Sequence, residues 1–511
     1  MLVLAAYLSA CHERSAAQRW DDTLTMLLPR DAQQIDPRFV SDAYGLKLSR
    51  LLFASLMRID PHTLEPVPDL AERVEVVSEV EYRVELRPGL RFSDGSVLDA
   101  DDVQATYRSV VDPELHTRYA SAYQRIERVE VLDPLTLSFH LNGPHASFLS
   151  DLELPILRSE DAHRRLALDD AARDPAAIRS AAIGAGPYVL AGRRPGAIEL
   201  EANPHWYGGA PHVPHVRMLV VRDDNTRALR LLSGAADLTL NSVPPGLLPL
   251  FTPAKGFSVE TAPGIGTTFL GLNTEAPGLD DVRVRRAIAL AVDRAGLIAA
   301  KLAGRAEPAR SFVPNGHWAY DEQLPLPQFD PSAARAQLDA AGLRARGDGP
   351  RVSWVMRCSS DRFRVSVARA IAAMLEEVGL HVRVQPSETP TLLADLNKGR
   401  FELALLEFPE VIEPHVLSWV FASERIPGQG REGLNRWRFR DAAVDAAFER
   451  GRKSLAREER KRAYAEIQQR IADQVPVVPL WHESVVVVRT QKAPLISVPR
   501  DGRFTTLARA H

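Results

Sequence analysis

Apolar positions alternate with polar ones in several short runs of this chain and recur at helical spacing in others. The pattern predicts a mixed α/β protein. Residues 23–28 (TLTMLL) read as a first strand, and a polar turn at 29–34 carries the chain into Ile35, Asp36 and Pro37. Residues 46–56 have the apolar spacing of a helix, whereas 74–80 and 82–86 alternate as strands. Between 86 and 103 (LRPGLRFSDGSVLDADDV) two extended pieces surround tight turns in which Gly89 and Gly95 permit positive φ. Asp99 or Asp101 then caps a helix that begins near Asp102. The rest of the chain is organised around residues 267–294. There Phe269 to Leu272 form a strand closed by Asn273, and Pro277 and Gly278 break it. Asp280 or Asp281 caps the helix that follows, placing negative charge at its positive end. Val284, Ala287, Ile288 and Ala291 fall at i, i+3, i+4 and i+7, so one face of that helix is buried. Residues 381–384 and the apolar run 403–406 read as further strands.

Length and charge narrow the function classes. A chain of 511 residues forms at least two lobes. A net charge of −3 and the absence of a Lys/Arg-rich run argue against a nucleic-acid binder. No apolar run approaches the roughly 20 residues that a membrane span needs. Neither a G-x-S-x-G elbow, an H-E-x-x-H pair, a P-loop nor a C-x-x-C motif is present, and no catalytic residue is expected. Gly264-Ile-Gly266 lacks a third glycine and reads as a turn. His205, His212 and His215 have spacing that suits a transition metal, but Pro and Gly dominate their segment; solvated loop histidines are the expectation, with no metal and no cofactor. Of the two cysteines, Cys11 closes Leu8-Ser9-Ala10-Cys11, which has the form of a bacterial lipobox after the short apolar run 1–10. Its diacylated form would tether the protein to a membrane. Cys358 is then a lone thiol, read as a small buried hydrophobe.

The stretch 86–103 resembles the signature L(R/K)xGvkFhDGtplTAeDV of the bacterial extracellular solute-binding proteins of family 5, the oligopeptide, dipeptide and nickel class. Ser93 stands where His is usual and Asp99 where Thr is usual. Further matches follow in the family's order: Gly184-Ala-Gly-Pro-Tyr188, Asn203-Pro-His-Trp-Tyr207, residues 231–237, the segment 267–294, and the late helix with its proline-flanked strand from Arg462 to Leu480. The resemblance covers residues 22–490. It implies a type II periplasmic-binding-protein fold of two α/β lobes joined by a hinge. Residues 1–21 would be a signal and tether, 22–265 plus 483–511 lobe I, and 266–482 lobe II. It further implies a monomer outside the inner membrane, periplasmic or at the cell surface, that delivers its ligand to the permease of an ABC transporter.

In peptide-binding relatives an acidic residue three positions before an Asp/Glu-Pro pair anchors the ligand's α-amino group. Glu410, ahead of Glu413-Pro414, holds that place here, at the end of the strand 403–406 where α/β folds bind ligands. The other reading of Glu410 and Glu413 is a solvated acidic loop. Relatives often carry Gly-Trp before the acid; this chain has Leu406-Glu407-Phe408, and Glu is one methylene longer than the usual Asp. The ligand is therefore a peptide or, on the alternative reading, a nickel chelate, haem, sugar or signalling molecule; a hydrolase is the third reading. By position alone, Arg30 and Asp31 would line the cleft, and Arg357 would lie near a carboxylate-binding basic residue. Trp437 would be a cleft aromatic or a core anchor.

Overall fold

A computed structural model describes residues 23–166, 175–344, 349–428, 430 and 432–509. A seven-stranded sheet is centred on Thr23–Leu28, which pairs in parallel with His215–Val220 on one side and Leu238–Leu240 on the other. Ala197–Ala202 and Tyr188–Arg194 extend it one way, Val485–Thr490 and Phe257–Ala262 the other. A six-stranded sheet runs in the order Ala306–Pro308, Val477–Glu483, Thr267–Leu272, Leu403–Phe408, Val352–Ser359, Leu380–Ser387. The chain crosses from the first sheet to the second after Ala262 and returns between Glu483 and Val485, so two adjacent connections form the hinge.

A third sheet, of four antiparallel strands, was not anticipated. It comprises Ala71–Ser78, Glu81–Leu86, Thr136–Leu141 and Ile126–Asp133, with a core of its own around Tyr82, Phe139 and Phe148. The expected strands at 74–80 and 82–86 belong to it.

The central strand Thr267–Leu272 is buried at every position, although its residues alternate in size and polarity. Helices cover both faces of its sheet. Leu270 and Leu272 pack with Val284, Ile288 and Ile371 on one side. Phe269 packs with Trp437, Phe448 and Tyr464 on the other. Each such side chain contributes about 1.5–3 kcal/mol through burial. Gly271 has a steric role within the strand: a Cβ there would lie 2.6 Å from Cε3 of Trp437.

Caps settle several boundaries. Asp281, rather than Asp280, caps Val282–Ala291 by accepting from the Arg283 amide. Asp99 caps Ala100–Val111 in a reciprocal box with Asp102, so this helix begins at Ala100. The helix expected at 46–56 is Ala43–Leu52. Asp42 starts it early by accepting from the Gly45 amide at 2.7 Å, and Phe53 leaves it in an extended conformation. Gly89 and Gly95 adopt positive φ, as their turns require. Cys358 is fully buried in the helix-covered face of the six-stranded sheet, where desolvation raises its thiol pKa. Cys11 lies outside the described residues.

Candidate ligand-binding site

Glu410 follows the interior strand Leu403–Phe408 by two residues, on a loop that its neighbours hold rigid. Val411 is fully buried, and the Ile412 carbonyl lies 2.8 Å from Nε2 of His317. Glu413 caps the short helix Pro414–Val416 through the His415 amide and is ion-paired to Arg460. Burial raises the Glu413 carboxyl pKa, opposed by Arg460, and its Oε1 is committed to both contacts. Glu413 thus shapes the loop; Glu410, with about a third of its side chain exposed, is the acid left open to a ligand.

Glu410 faces a cavity of about 840 Å³. Ile412, His415 and Trp419 line it from the second half of the chain; Tyr119, Arg125 and Glu153 line it from the first. Such a volume suits a small organic ligand. At one end Arg503, almost fully buried, gathers three carboxylates: Glu153, Asp501 at 3.4 Å and Glu410 at 3.4 Å. Burial works against the Arg503 charge, but these acids raise its pKa above the ordinary value. Burial also pushes the Glu153 carboxyl up, yet Arg50 and Arg503 outweigh this and hold it below the usual carboxylate range. Beside this group, Lys47 lies over the rings of Tyr44 and Phe504 at 5.4 and 5.2 Å. Burial brings its amine down to about 8, with Asp501 and Glu410 opposing the fall. Among the described residues Glu410 pairs only with Arg503, at 3.4 Å, which leaves it able to accept from a ligand ammonium.

Arg30 and Asp31 line a second cavity, of about 1230 Å³, that also draws on both halves of the chain. Oδ1 of Asp31 is buried there and accepts no hydrogen bond from the described residues. Across from it stand Arg364, paired with Glu407 and bonded to Thr268 Oγ1 at 2.8 Å, and Glu483. Burial and the neighbouring Glu483 raise the Glu407 carboxyl, against the pull of Arg364. One strand therefore supplies an acid to each cavity: Glu407 from its end, Glu410 from the loop beyond.

Two of the expected cleft residues are placed elsewhere. Arg357 lines neither cavity: its guanidinium sits 3.0 Å from Asp395 and donates to the Arg400 carbonyl. Strand alternation sets Met356 and Cys358 in the core and turns Arg357 to the face that carries Asp395. Trp437 is a core anchor, 1% exposed, donating from Nε1 to the Val420 carbonyl and lying edge-on to Phe269. Among the described residues no three His, Cys, Asp or Glu side chains converge on a metal position. Arg503, Glu153 and Arg364 were not anticipated. Arg503 follows the last stretch of the resemblance, and no periodicity marks any of the three as buried.

Residues 65–424 match the bacterial extracellular solute-binding proteins, family 5 (Middle). A probable di/tripeptide-binding protein of Pseudomonas aeruginosa is 27% identical over 482 residues, covering 89% of this chain and 88% of its own length. The oligopeptide-binding protein AppA of Bacillus subtilis, solved with a nonapeptide, superposes with a TM-score of 0.77 at 21% identity, over 95% of this chain and 98% of its own. NikZ from Campylobacter jejuni, solved with Ni(L-His), superposes with a TM-score of 0.80 at 23% identity, again over 95% and 98%. At these identities the solved structures establish the two-lobed fold. The match to the family itself spans well over half the sequence, and the chain belongs to the bacterial extracellular solute-binding proteins of family 5.

Proposed function

We propose that this chain captures a short peptide between its lobes, with Glu410 receiving the α-ammonium, and presents it to an ABC transporter for uptake. The observation that carries the reading is the Glu410 carboxylate, open to an interlobe cavity on a loop fixed by Val411, His317 and Glu413. The di/tripeptide-binding relative supports the same ligand class. The protein binds and releases without a chemical step, and the ligand favours the closed form by its differential affinity for it. We take 22–265 plus 483–511 as lobe I and 266–482 as lobe II, in keeping with the membership of the two large sheets. The protein works as a monomer outside the inner membrane, tethered through a lipidated Cys11. No helix among the described residues is long and apolar enough to cross a membrane.

Native mass spectrometry of the protein purified without denaturation tests the ligand. A bound mass series that is lost on unfolding and fragments as short peptides is the expected result. An empty protein whose melting temperature no peptide library shifts would overturn it. Fractionation of a Cys11→Ser variant tests the anchor, since the variant should leave the membrane fraction. A metal chelate is the second reading, favoured by the imidazoles of His145 and His415 in the same cavity, 6.4 Å between ring centroids. Titration with nickel–histidine in the same spectrometer decides between them.

A further inference from the structure

The cavity that holds Glu410 has a second pole. Arg125 lines it and, among the described residues, has neither a carboxylate within ion-pair distance nor a side-chain hydrogen bond. The acids around it are already engaged. Asp151 Oδ2 lies 2.7 Å from Nε2 of His145, and Glu449 accepts from Arg452 at 3.1 and 2.6 Å. Arg425 lies 4.0 Å above the Trp419 ring, and its buried Nε donates no hydrogen bond among the described residues. Its nearest carboxylate, that of Glu424, is 3.4 Å from that nitrogen and three-quarters exposed. Arg125 is made less basic by burial and by the nearby charges of Arg452 and Arg425. Guanidiniums brought together in a partly dry cavity, with donors unspent, are unfavourable unless an anion joins them. A planar carboxylate matches that donor geometry.

We propose that Arg125 and Arg425, with the Trp419 ring beneath, form an anion-binding pole that receives a carboxylate of the ligand while Glu410 holds its ammonium. The proposal deepens the peptide reading and rests on it. It narrows the ligand to a peptide that is negative at the end remote from its free amine. The carboxylate is either the C-terminus or an acidic side chain, since the two poles alone set the requirement. Arg125 and Arg425 are then specificity-determining residues, and a peptide without this anion leaves Arg125 with no carboxylate partner among the described residues and Arg425 with only that of the exposed Glu424.

The test is isothermal titration of the full protein with tri-alanine, tri-alanine amide and Ala-Ala-Glu amide, on wild type, Arg125→Gln and Arg425→Gln. Loss of one charge-assisted contact should weaken binding about tenfold or more. Wild type should therefore bind tri-alanine or Ala-Ala-Glu amide at least tenfold more tightly than tri-alanine amide, and the preferred one identifies the source of the carboxylate. Both variants should lose that preference at an unchanged melting temperature, and Arg125→Lys should keep part of it. Equal binding of all three peptides by wild type overturns the anion pole while leaving peptide capture intact, and this comparison needs no variant to fold. Binding of none of them overturns the peptide reading itself.

Discussion

At the scale of single residues, Glu410 and Trp437 separate a binding role from a packing role. Glu410→Gln keeps the shape of the side chain and removes the charge that an ammonium needs. Peptide affinity should fall about tenfold or more in titration calorimetry, because a charge-assisted contact contributes about 1.5–3 kcal/mol. The melting temperature should hardly move, since Arg503 keeps Glu153 and Asp501. Unchanged affinity would remove Glu410 from the site. Trp437→Ala should act in the opposite way. It opens a void beside Phe269 and Gly271 and strands the Val420 carbonyl, at a cost of about 3–5 kcal/mol in urea unfolding. A loss below about 1 kcal/mol would show that the site is not packed as described.

At the scale of elements, local chemistry in the sequence located most starts and stops, and neighbours decided the rest. Asp99, Asp281 and the turns at Gly89 and Gly95 were legible because capping and positive φ depend on a few adjacent residues. The helix Ala43–Leu52 ended four residues early because Phe53 turns extended, Ser55 bridges to Pro155 and all of Phe53 to Leu56 is buried, which no helical spacing reveals. The loop 409–413 and the hinge share another feature of element packing: two histidines buried without charge. His317 supports the Ile412 carbonyl, and His482 lies 3.2 Å from Thr267 Oγ1 beside the crossing at Gly266. Burial lowers both to about 4. The unfolded chain binds these protons near pH 6.5, so the stabilisation is complete above that pH. It is lost as pH falls from about 6.5 toward 4, on the order of 3 kcal/mol for each histidine. Urea midpoints should therefore drop between pH 7 and pH 5, and less steeply in His317→Asn. Parallel pH profiles for variant and wild type would exclude His317 as a source of the drop.

At the scale of the whole molecule, the hinge is two connections in contact. A Cβ on Gly264 would lie 2.0 Å from the Glu483 carbonyl oxygen. Arg500 ties the same region together, with its amide donating to Pro61 and its guanidinium to Pro263 and Asn315. Across the opening the lobes meet where the Ala146 amide donates to the Arg452 carbonyl at 2.9 Å and Arg457 pairs with Glu65. That last pair is exposed and contributes no more than about 1 kcal/mol. Gly264→Val should force the two connections apart, enlarge the radius of gyration in small-angle scattering and weaken peptide binding. A variant that matches wild type in both would show that contact at the crossing is not needed for closure.

The sequence by itself determined the family, the mixed α/β class, the main strands and caps, and the candidate acid at Glu410. These depend on short-range chemistry and on ordered motifs, both of which are written in consecutive residues. Tertiary structure alone decided which charged side chains share a space. Arg357 and Arg364 are seven positions apart on neighbouring elements, yet strand alternation turned the first away from the cavity that the second enters. Arg30 and Asp31 went to a different cavity from Glu410. Arg503 met Glu410 across 93 positions, and Arg125 and Arg425 came to one cavity from opposite lobes. A charge has no periodicity that reports its partner; its neighbours are set by how the sheets and helices pack, and packing depends on the whole chain.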